Sequence, residues 1–170
     1  MRDDIYKEIC LNVLRIFDPE IIDILYLEHE NSFRRTEYIK HKNLGNMPLS
    51  TYGDGIKKVL SIANGIAQAA NGVLMIDELE TAIHYKYYDD IFKFLVKACK
   101  QFNVQLFVTT HSADAIDKLL ATQEYDHSDA DDISVITFKK DPESMHTLTR
   151  ILTGRRVYSS REAFDFEVRV

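Results

Sequence analysis

The stretch GVLMIDELETAIH, residues 72–84, decides the fold because an apolar run ends abruptly in charge. Four aliphatic residues lead directly into Asp77 and Glu78. A short, continuous apolar run of this kind predicts a central parallel strand that is covered on both faces. The run VQLFVTT, residues 104–110, has the same character and predicts a second buried strand. A helical pattern lies between the two, so we expect a parallel crossover unit.

The remainder of the chain alternates helical and extended patterns. Apolar residues spaced three and four apart predict helices over 5–17, 56–70, 88–102 and 113–120. Two antiparallel hairpins are predicted over 21–41 and 133–151, with turns at Asn31-Ser32 and at Asp141-Pro142-Glu143. Residues 44–55 and 121–132 predict loops. We therefore expect one α/β domain, residues 1–170, with a mostly parallel central sheet, flanking helices and antiparallel hairpins.

Composition excludes several classes of protein. The net charge of −6 argues against broad binding of a phosphate backbone, so DNA would be contacted only through a larger assembly. Cys10 and Cys99 lack the CxxC spacing of a zinc site and indicate a reducing compartment. The N-terminus has no signal-peptide core, and no apolar run approaches the ~20 residues that cross a bilayer. We expect a cytoplasmic protein without a membrane segment.

Asp77 and Glu78 follow the first central strand, and ligands of open α/β sheets bind at the carboxyl ends of strands. One or two carboxylates together with phosphate oxygens and water hold Mg²⁺. Asp77 is therefore a candidate magnesium ligand, and Glu78 a candidate base for an attacking water. The alternative is that both acids simply leave the strand into solvent or cap the next helix.

The second strand ends in Thr109-Thr110-His111-Ser112. A histidine there is expected at the same edge of the sheet as the two acids, where a neutral imidazole can hydrogen-bond a γ-phosphate or the attacking water. In the alternative interpretation, the segment is only a helix start that Ser112 caps.

A third candidate site is PLSTYGDGIKK, residues 48–58, a glycine-rich loop that leads into a helix. Free backbone N–H groups and the helix dipole make such a start an anion site. Ser50, Thr51, Gly53 and Gly55 can supply hydroxyls and a close backbone approach. An ordinary loop with an N-cap is the alternative.

A metal centre of mixed carboxylates and imidazoles is a further alternative, although no HxxxH or HExxH spacing supports it. Its ligands would be Asp77, Glu78, Glu80, His84 and His111. The other histidines lie in hairpin or loop contexts, where we expect them to be solvated: His29, His41, His127 and His146.

The order LSTYGDGIKK, GVLMIDE and FVTTHS resembles the C-terminal half of an ABC-type ATPase head, and in particular the OLD-like and SMC-like AAA ATPases of prokaryotes. The likeness runs from LRIFDPEI in the opening helix to the final FEVRV. It implies the C-terminal lobe of a P-loop NTPase-like fold that uses ATP and Mg²⁺ and pairs with a second head.

This resemblance also implies roles for individual residues. The loop with Ser50, Thr51, Gly53, Asp54 and Gly55 is similar to the signature that reaches the γ-phosphate held by a partner. Asp77-Glu78 resembles Walker B, with Asp77 on magnesium and Glu78 as catalytic base. ETAIH, with Glu80 and His84, resembles the D-loop at the dimer interface, and His111 resembles the switch histidine.

One element of the family pattern is missing, because the 170 residues contain no GxxxxGK[ST] loop. That Walker A loop holds the β- and γ-phosphates and precedes the signature in ABC-type heads. We therefore expect a homodimer or a partner ATPase chain that supplies Walker A, and the isolated chain to be nearly inactive. The alternatives are a non-catalytic module that lends its signature loop to a complete ATPase, and a metal-dependent nuclease or hydrolase.

Overall fold

The computed structural model describes residues 2–29, 32–123, 125, 132–140 and 146–164. These form two compact units, residues 1–110 and residues 111–170. The elements of the first unit are α1 (Arg2–Phe17), β1 (Ile21–His29), β2 (Ser32–His41), β3 (Gly45–Pro48), α2 (Asp54–Gln68), β4 (Val73–Ile76), α3 (Tyr88–Phe102) and β5 (Gln105–Val108). Those of the second are α4 (Ala113–Leu120), β6 (Ser134–Lys140), β7 (Thr147–Thr153) and α5 (Gly154–Phe164).

The predicted crossover unit is present in the first unit. Strands β4 and β5 pair in parallel, with Val73 opposite Gln105 and Ile76 opposite Val108, and α3 connects them. Helices α2 and α3 supply the core, with side chains such as Ala63, Ile66 and Phe92 that are fully buried. Strands β1, β2 and β3 form a separate antiparallel sheet, which confirms the first predicted hairpin.

The segment predicted as a loop over 44–55 is partly regular. Gly45–Pro48 forms strand β3 against β2, and Leu49–Thr51 forms a single 3₁₀ turn. A left-handed Gly45, with φ 74°, lets the chain reverse into this pairing. β3 is an edge strand that ends at Pro48, and proline is tolerated on an edge strand, so the proline there does not exclude a strand.

Some expectations lie outside the described residues. They concern Asn31 in the first turn, most of the acidic loop over 121–132, the Asp141-Pro142-Glu143 turn, His127 and the final FEVRV. Ser32, expected in the first turn, instead opens β2.

The expectation that β4 is covered on both faces is wrong. Burial alternates along both strands of the parallel pair, and one face is open to solvent. Val73 is 50% exposed, Met75 77% and Phe107 44%. The other face packs inward, as the close approach of Leu74 to Gly65 in α2 illustrates. An aliphatic strand therefore has an apolar surface for which the described residues provide no cover.

Cys10 and Cys99 are both buried, and the structure joins neither of them in a disulfide. Burial raises the pKa of the Cys99 thiol to about 11. This thiol therefore stays protonated at neutral pH and has a packing role rather than a nucleophilic one.

His41 was expected to be solvated, and this expectation is wrong. It is only 6% exposed and joins three segments of the first unit. Its Nε2 lies 3.0 Å from Asp18 Oδ2, and its Nδ1 accepts hydrogen bonds from the backbone N–H groups of Asn43 and Leu44. The ring therefore fixes the turn between β2 and β3 to the end of α1.

Replacing His41 by alanine is expected to destabilise the chain by about 1–2 kcal/mol, because two backbone N–H groups lose their acceptor. Urea unfolding followed by circular dichroism measures the change. Lys42→Ala is the matched control, since Lys42 is the exposed neighbour in the same turn and its loss should cost under about 0.5 kcal/mol. Equal stabilities of the two variants would show that the His41 contacts do not hold the turn.

The second unit is small and has its own core. Strands β6 and β7 pair in antiparallel fashion from Ser134–Thr153 to Lys140–Thr147, which confirms the second hairpin. Leu120, Leu152 and Val157 form the buried cluster. Among the residues described here, no helix combines the length and the apolar character that crossing a membrane requires.

Candidate functional site

The acidic pair lies in a tight turn directly after β4. Asp77 and Glu78 are both exposed, and Glu78 has a left-handed backbone with φ 47°. A non-glycine residue seldom adopts this conformation and does so at a cost of about 1 kcal/mol. Leu79, which is fully buried, anchors the chain immediately after the turn. The turn therefore exposes two carboxylates to solvent directly before the buried Leu79.

Thr109, at the end of β5, holds this turn in place. Its hydroxyl Oγ1 accepts a hydrogen bond from the Glu78 N–H at 2.9 Å and donates one to Asp77 Oδ1. Its backbone N–H donates to Ile76 O and its carbonyl accepts from the Leu79 N–H, both at 3.0 Å. The carboxyl ends of the two parallel strands are thereby joined at the acids.

The segment after the acids, which contains the candidate D-loop, is a series of short turns. The Thr81 N–H donates to Glu78 O, and the Thr81 hydroxyl donates to Glu78 Oε2 at 3.0 Å. Glu80 is half-buried, whereas His84 is exposed and its Nδ1 lies 3.3 Å from the backbone nitrogen of Lys86. Glu80 and His84 thus lie on one continuous segment with Glu78.

The candidate signature loop meets this segment at Gly55. A Cβ on Gly55 would lie 2.7 Å from the carbonyl oxygen of Ala82, a distance that real Cβ atoms do not reach. Ala82 is itself left-handed, with φ 67°. Only glycine at position 55 lets the first turn of α2 approach the 77–87 segment this closely.

The rest of the loop leads into the N-terminus of α2. Gly53 is the N-cap of α2 and has no side chain to cap it, and Asp54 lies exposed in the first turn. The Thr51 hydroxyl donates to Pro48 O at 2.7 Å, whereas Ser50 is exposed. Burial raises the pKa of the Tyr52 phenol, and the negative charge of Asp18 adds to this.

His111 is the first residue of the second unit, and it is exposed. Ser112 caps α4, because its Oγ accepts a hydrogen bond from the Ala115 N–H at 3.2 Å. This confirms the predicted cap. The placement of His111 beside Asp77 and Glu78 stays a prediction.

The exposed acids suit Mg²⁺ better than a metal ion that several protein side chains must hold. Within the part of the chain that the structure describes, no three histidine, cysteine or acidic side chains converge as a metal-binding group. Asp77, Glu78, Glu80 and His84 of the first unit therefore form no such group, and the mixed centre that adds His111 stays an alternative. One or two exposed carboxylates do suit Mg²⁺ that arrives with a nucleotide, since phosphate oxygens and water complete its shell.

Sequence reasoning missed two contacts at this site. It placed Thr109 only at the end of a strand, although a threonine hydroxyl can both donate and accept and can therefore bridge to a neighbouring turn. It also gave Gly55 only a role in the anion-binding loop and did not predict its close approach to Ala82.

A family model matches most of this chain. A family model described as "AAA domain, putative AbiEii toxin, Type IV TA system" matches residues 2–117. A Helicobacter pylori protein named ATP/GTP phosphatase is 29% identical over 120 residues, which cover 67% of this chain and 31% of that protein. An uncharacterized protein of Methanocaldococcus jannaschii is 31% identical over 119 residues, which cover 69% of this chain and 98% of that protein. This chain thus spans about a third of the Helicobacter relative.

Solved structures show the same fold. An SMC ATPase from work on ATP-driven dimerization and DNA-stimulated activation matches with a TM-score of 0.60 at 12% identity, covering 96% of this chain and 93% of that one. An SMC head bound to the C-terminal winged-helix domain of ScpA matches with a TM-score of 0.62 at 12% identity, covering 92% and 44%. These likenesses confirm the predicted α/β, P-loop NTPase-like fold with parallel and antiparallel strands.

Proposed function

The chain belongs to the AAA domain family, and from that premise we propose that it is the C-terminal lobe of an ABC-type, OLD-like ATPase head. The reaction is hydrolysis of ATP to ADP and phosphate in a site shared between two heads. The observation that carries this proposal is the Asp77–Glu78 turn, which Thr109 fixes at the carboxyl end of a parallel strand pair.

Asp77 is the proposed magnesium ligand of this Walker B-like turn. When bound with the nucleotide, Mg²⁺ would neutralise charge on the phosphate oxygens. Because Oδ1 of Asp77 accepts a hydrogen bond from Thr109, Oδ2 would be the oxygen available to hold the ion. Glu78 lies next in the chain with an exposed carboxylate, as a base that accepts a proton from the attacking water must.

His111 is the proposed sensor of the γ-phosphate. It follows Thr109 by two residues, and the Thr109 hydroxyl is already bonded to Asp77. This short spacing supports a position near the acids. Neutral imidazole offers one donor and one acceptor, which suit a phosphate oxygen and a water molecule.

The LSTYGDG loop is the proposed signature that contacts nucleotide held by the other head. Gly53, Asp54 and Gly55 form the start of a 15-residue helix whose N-cap lacks a side-chain acceptor, which supports an anion site. Because Thr51 directs its hydroxyl proton to Pro48, Ser50 is the better candidate for the signature hydroxyl. Glu80 and His84 then belong to the dimer-facing D-loop.

The phosphate-holding loop is proposed to come from elsewhere, either from an upstream segment or from a partner chain. The sequence has no GxxxxGK[ST], and the chain spans only 31% of its Helicobacter relative. The open face of the β4–β5 sheet also supports this, because parallel sheets normally have both faces covered. Any contact with DNA would arise in that larger assembly.

Calorimetry and phosphate release test the proposal. The isolated chain with Mg²⁺ should bind ATP more weakly than about 1 mM and release no phosphate above background. Addition of the segment or chain that carries GxxxxGK[ST] should restore both activities. Micromolar ATP affinity of the isolated chain would contradict the missing-lobe proposal, and cleavage of DNA with Mn²⁺ but no nucleotide would favour a nuclease instead.

A further inference from the structure

Thr109 makes four hydrogen bonds to residues 76–79, and two of them involve its single hydroxyl. The backbone bonds to Ile76 O and Leu79 N–H require only a peptide at this position. The hydroxyl bonds to Asp77 Oδ1 and the Glu78 N–H require a hydroxyl-bearing side chain that is both donor and acceptor. The two kinds of contact can therefore be separated by substitution.

The hydroxyl acts at a residue with an unfavourable backbone conformation. Glu78 is left-handed at φ 47°, a conformation that a glutamate does not favour. Its N–H points at Thr109 Oγ1, so this bond fixes the peptide plane between the two acids. The direction of the Asp77 carboxylate is fixed by the same oxygen atom. One hydroxyl thus holds both the Asp77 carboxylate and the backbone N–H of Glu78, whereas the Glu78 carboxylate itself accepts from Thr81.

We propose that Thr109 is a positioning residue for the Asp77–Glu78 pair, and that its hydroxyl, rather than its backbone, maintains the left-handed turn at Glu78. The structural part of this proposal concerns this chain alone. Its catalytic consequence rests on the proposed ATPase function, because orientation of the acids matters to hydrolysis only if they hold magnesium and the attacking water.

Amide hydrogen exchange by NMR tests the structural part on the full chain. In Thr109→Val, the Glu78 amide should exchange about 10-fold faster, because it loses its acceptor. The Leu79 amide should change by less than about threefold, because its acceptor is the backbone carbonyl of Thr109. Thr109→Ser retains the hydroxyl and should restore slow exchange at Glu78.

Two results would overturn the structural part. One is an unchanged Glu78 amide in Thr109→Val. The other is equal acceleration at Glu78 and Leu79, which would mean that the strand end opens as a whole. A urea midpoint close to that of the wild type establishes that Thr109→Val is folded. If Thr109→Val fails to fold, Thr109→Ala takes its place in the same comparison.

Steady-state kinetics of the assembled head test the catalytic consequence. Thr109→Val should lower kcat for ATP about 10-fold with KM within twofold, and Thr109→Ser should recover most of the rate. Thr149→Val, an exposed threonine in β7, is the matched control and should leave the rate unchanged. An inactive wild-type assembly would contradict the proposed function but not the exchange result. A wild-type rate in Thr109→Val would contradict the positioning role in catalysis.

Discussion

Replacing Glu78 by glutamine is expected to lower ATP hydrolysis by the assembled head about 100-fold or more and to leave ATP binding intact. Glutamine retains the size of the side chain and can still accept a hydrogen bond from Thr81 through its amide oxygen. It cannot take a proton from water. The backbone N–H of Glu78 still donates to Thr109, so the turn should keep its shape.

Phosphate release and nucleotide binding are measured on the same preparations. Asp90→Asn is the control, because Asp90 is an exposed carboxylate in the first turn of α3, and its loss removes the same charge away from the strand end. Unchanged turnover in Glu78→Gln would favour the non-catalytic module, which contributes its signature loop to a complete partner.

Gly55→Ala is expected to destabilise the chain by about 2–3 kcal/mol. The added methyl group would lie 2.7 Å from the Ala82 carbonyl oxygen, and a backbone atom cannot move aside as a side-chain end does. Helix propensity favours alanine over glycine, so a net loss of stability must come from this contact. Chemical unfolding measures the loss, and amide shifts of Ala82 and Ile83 locate it.

Gly65→Ala in the same helix is the matched control. A Cβ there lies 3.2 Å from a terminal methyl group of Leu74, which can shift by a few tenths of an ångström. Its effect should be neutral or slightly stabilising, since alanine is the better helix former. If both variants behave alike, the approach of α2 to the 77–87 segment is not as close as the structure indicates.

Much of the fold could be predicted because periodicity and strand composition are local properties. Helices α2, α3 and α4 and the parallel pair β4–β5 lie where their apolar patterns predicted them. The burial of each face could not be predicted in this way. The run from Val73 to Ile76 is aliphatic throughout, yet Val73 and Met75 face solvent, because a pattern records what a strand can bury rather than what covers it.

The site was predicted less completely, for a related physical reason. Asp77 and Glu78 stand out because charge directly follows an apolar strand. The contacts that orient them join residues far apart in the chain: Thr109 lies 32 residues from Asp77, and Gly55 contacts Ala82. His41 was misjudged similarly, since its partner Asp18 lies 23 residues away. Spacing within a motif contains no information about such pairs.

The open face of β4–β5 also makes the chain susceptible to oxidation. Met75 exposes 77% of its surface there, and an accessible thioether is readily oxidised to the sulfoxide. Sulfoxide formation converts the centre of an apolar patch into a polar group, which lowers the affinity of any apolar surface for it. In the proposed assembly, a preparation stored in air would gradually lose affinity for the lobe that covers this face, while its acidic turn remained intact.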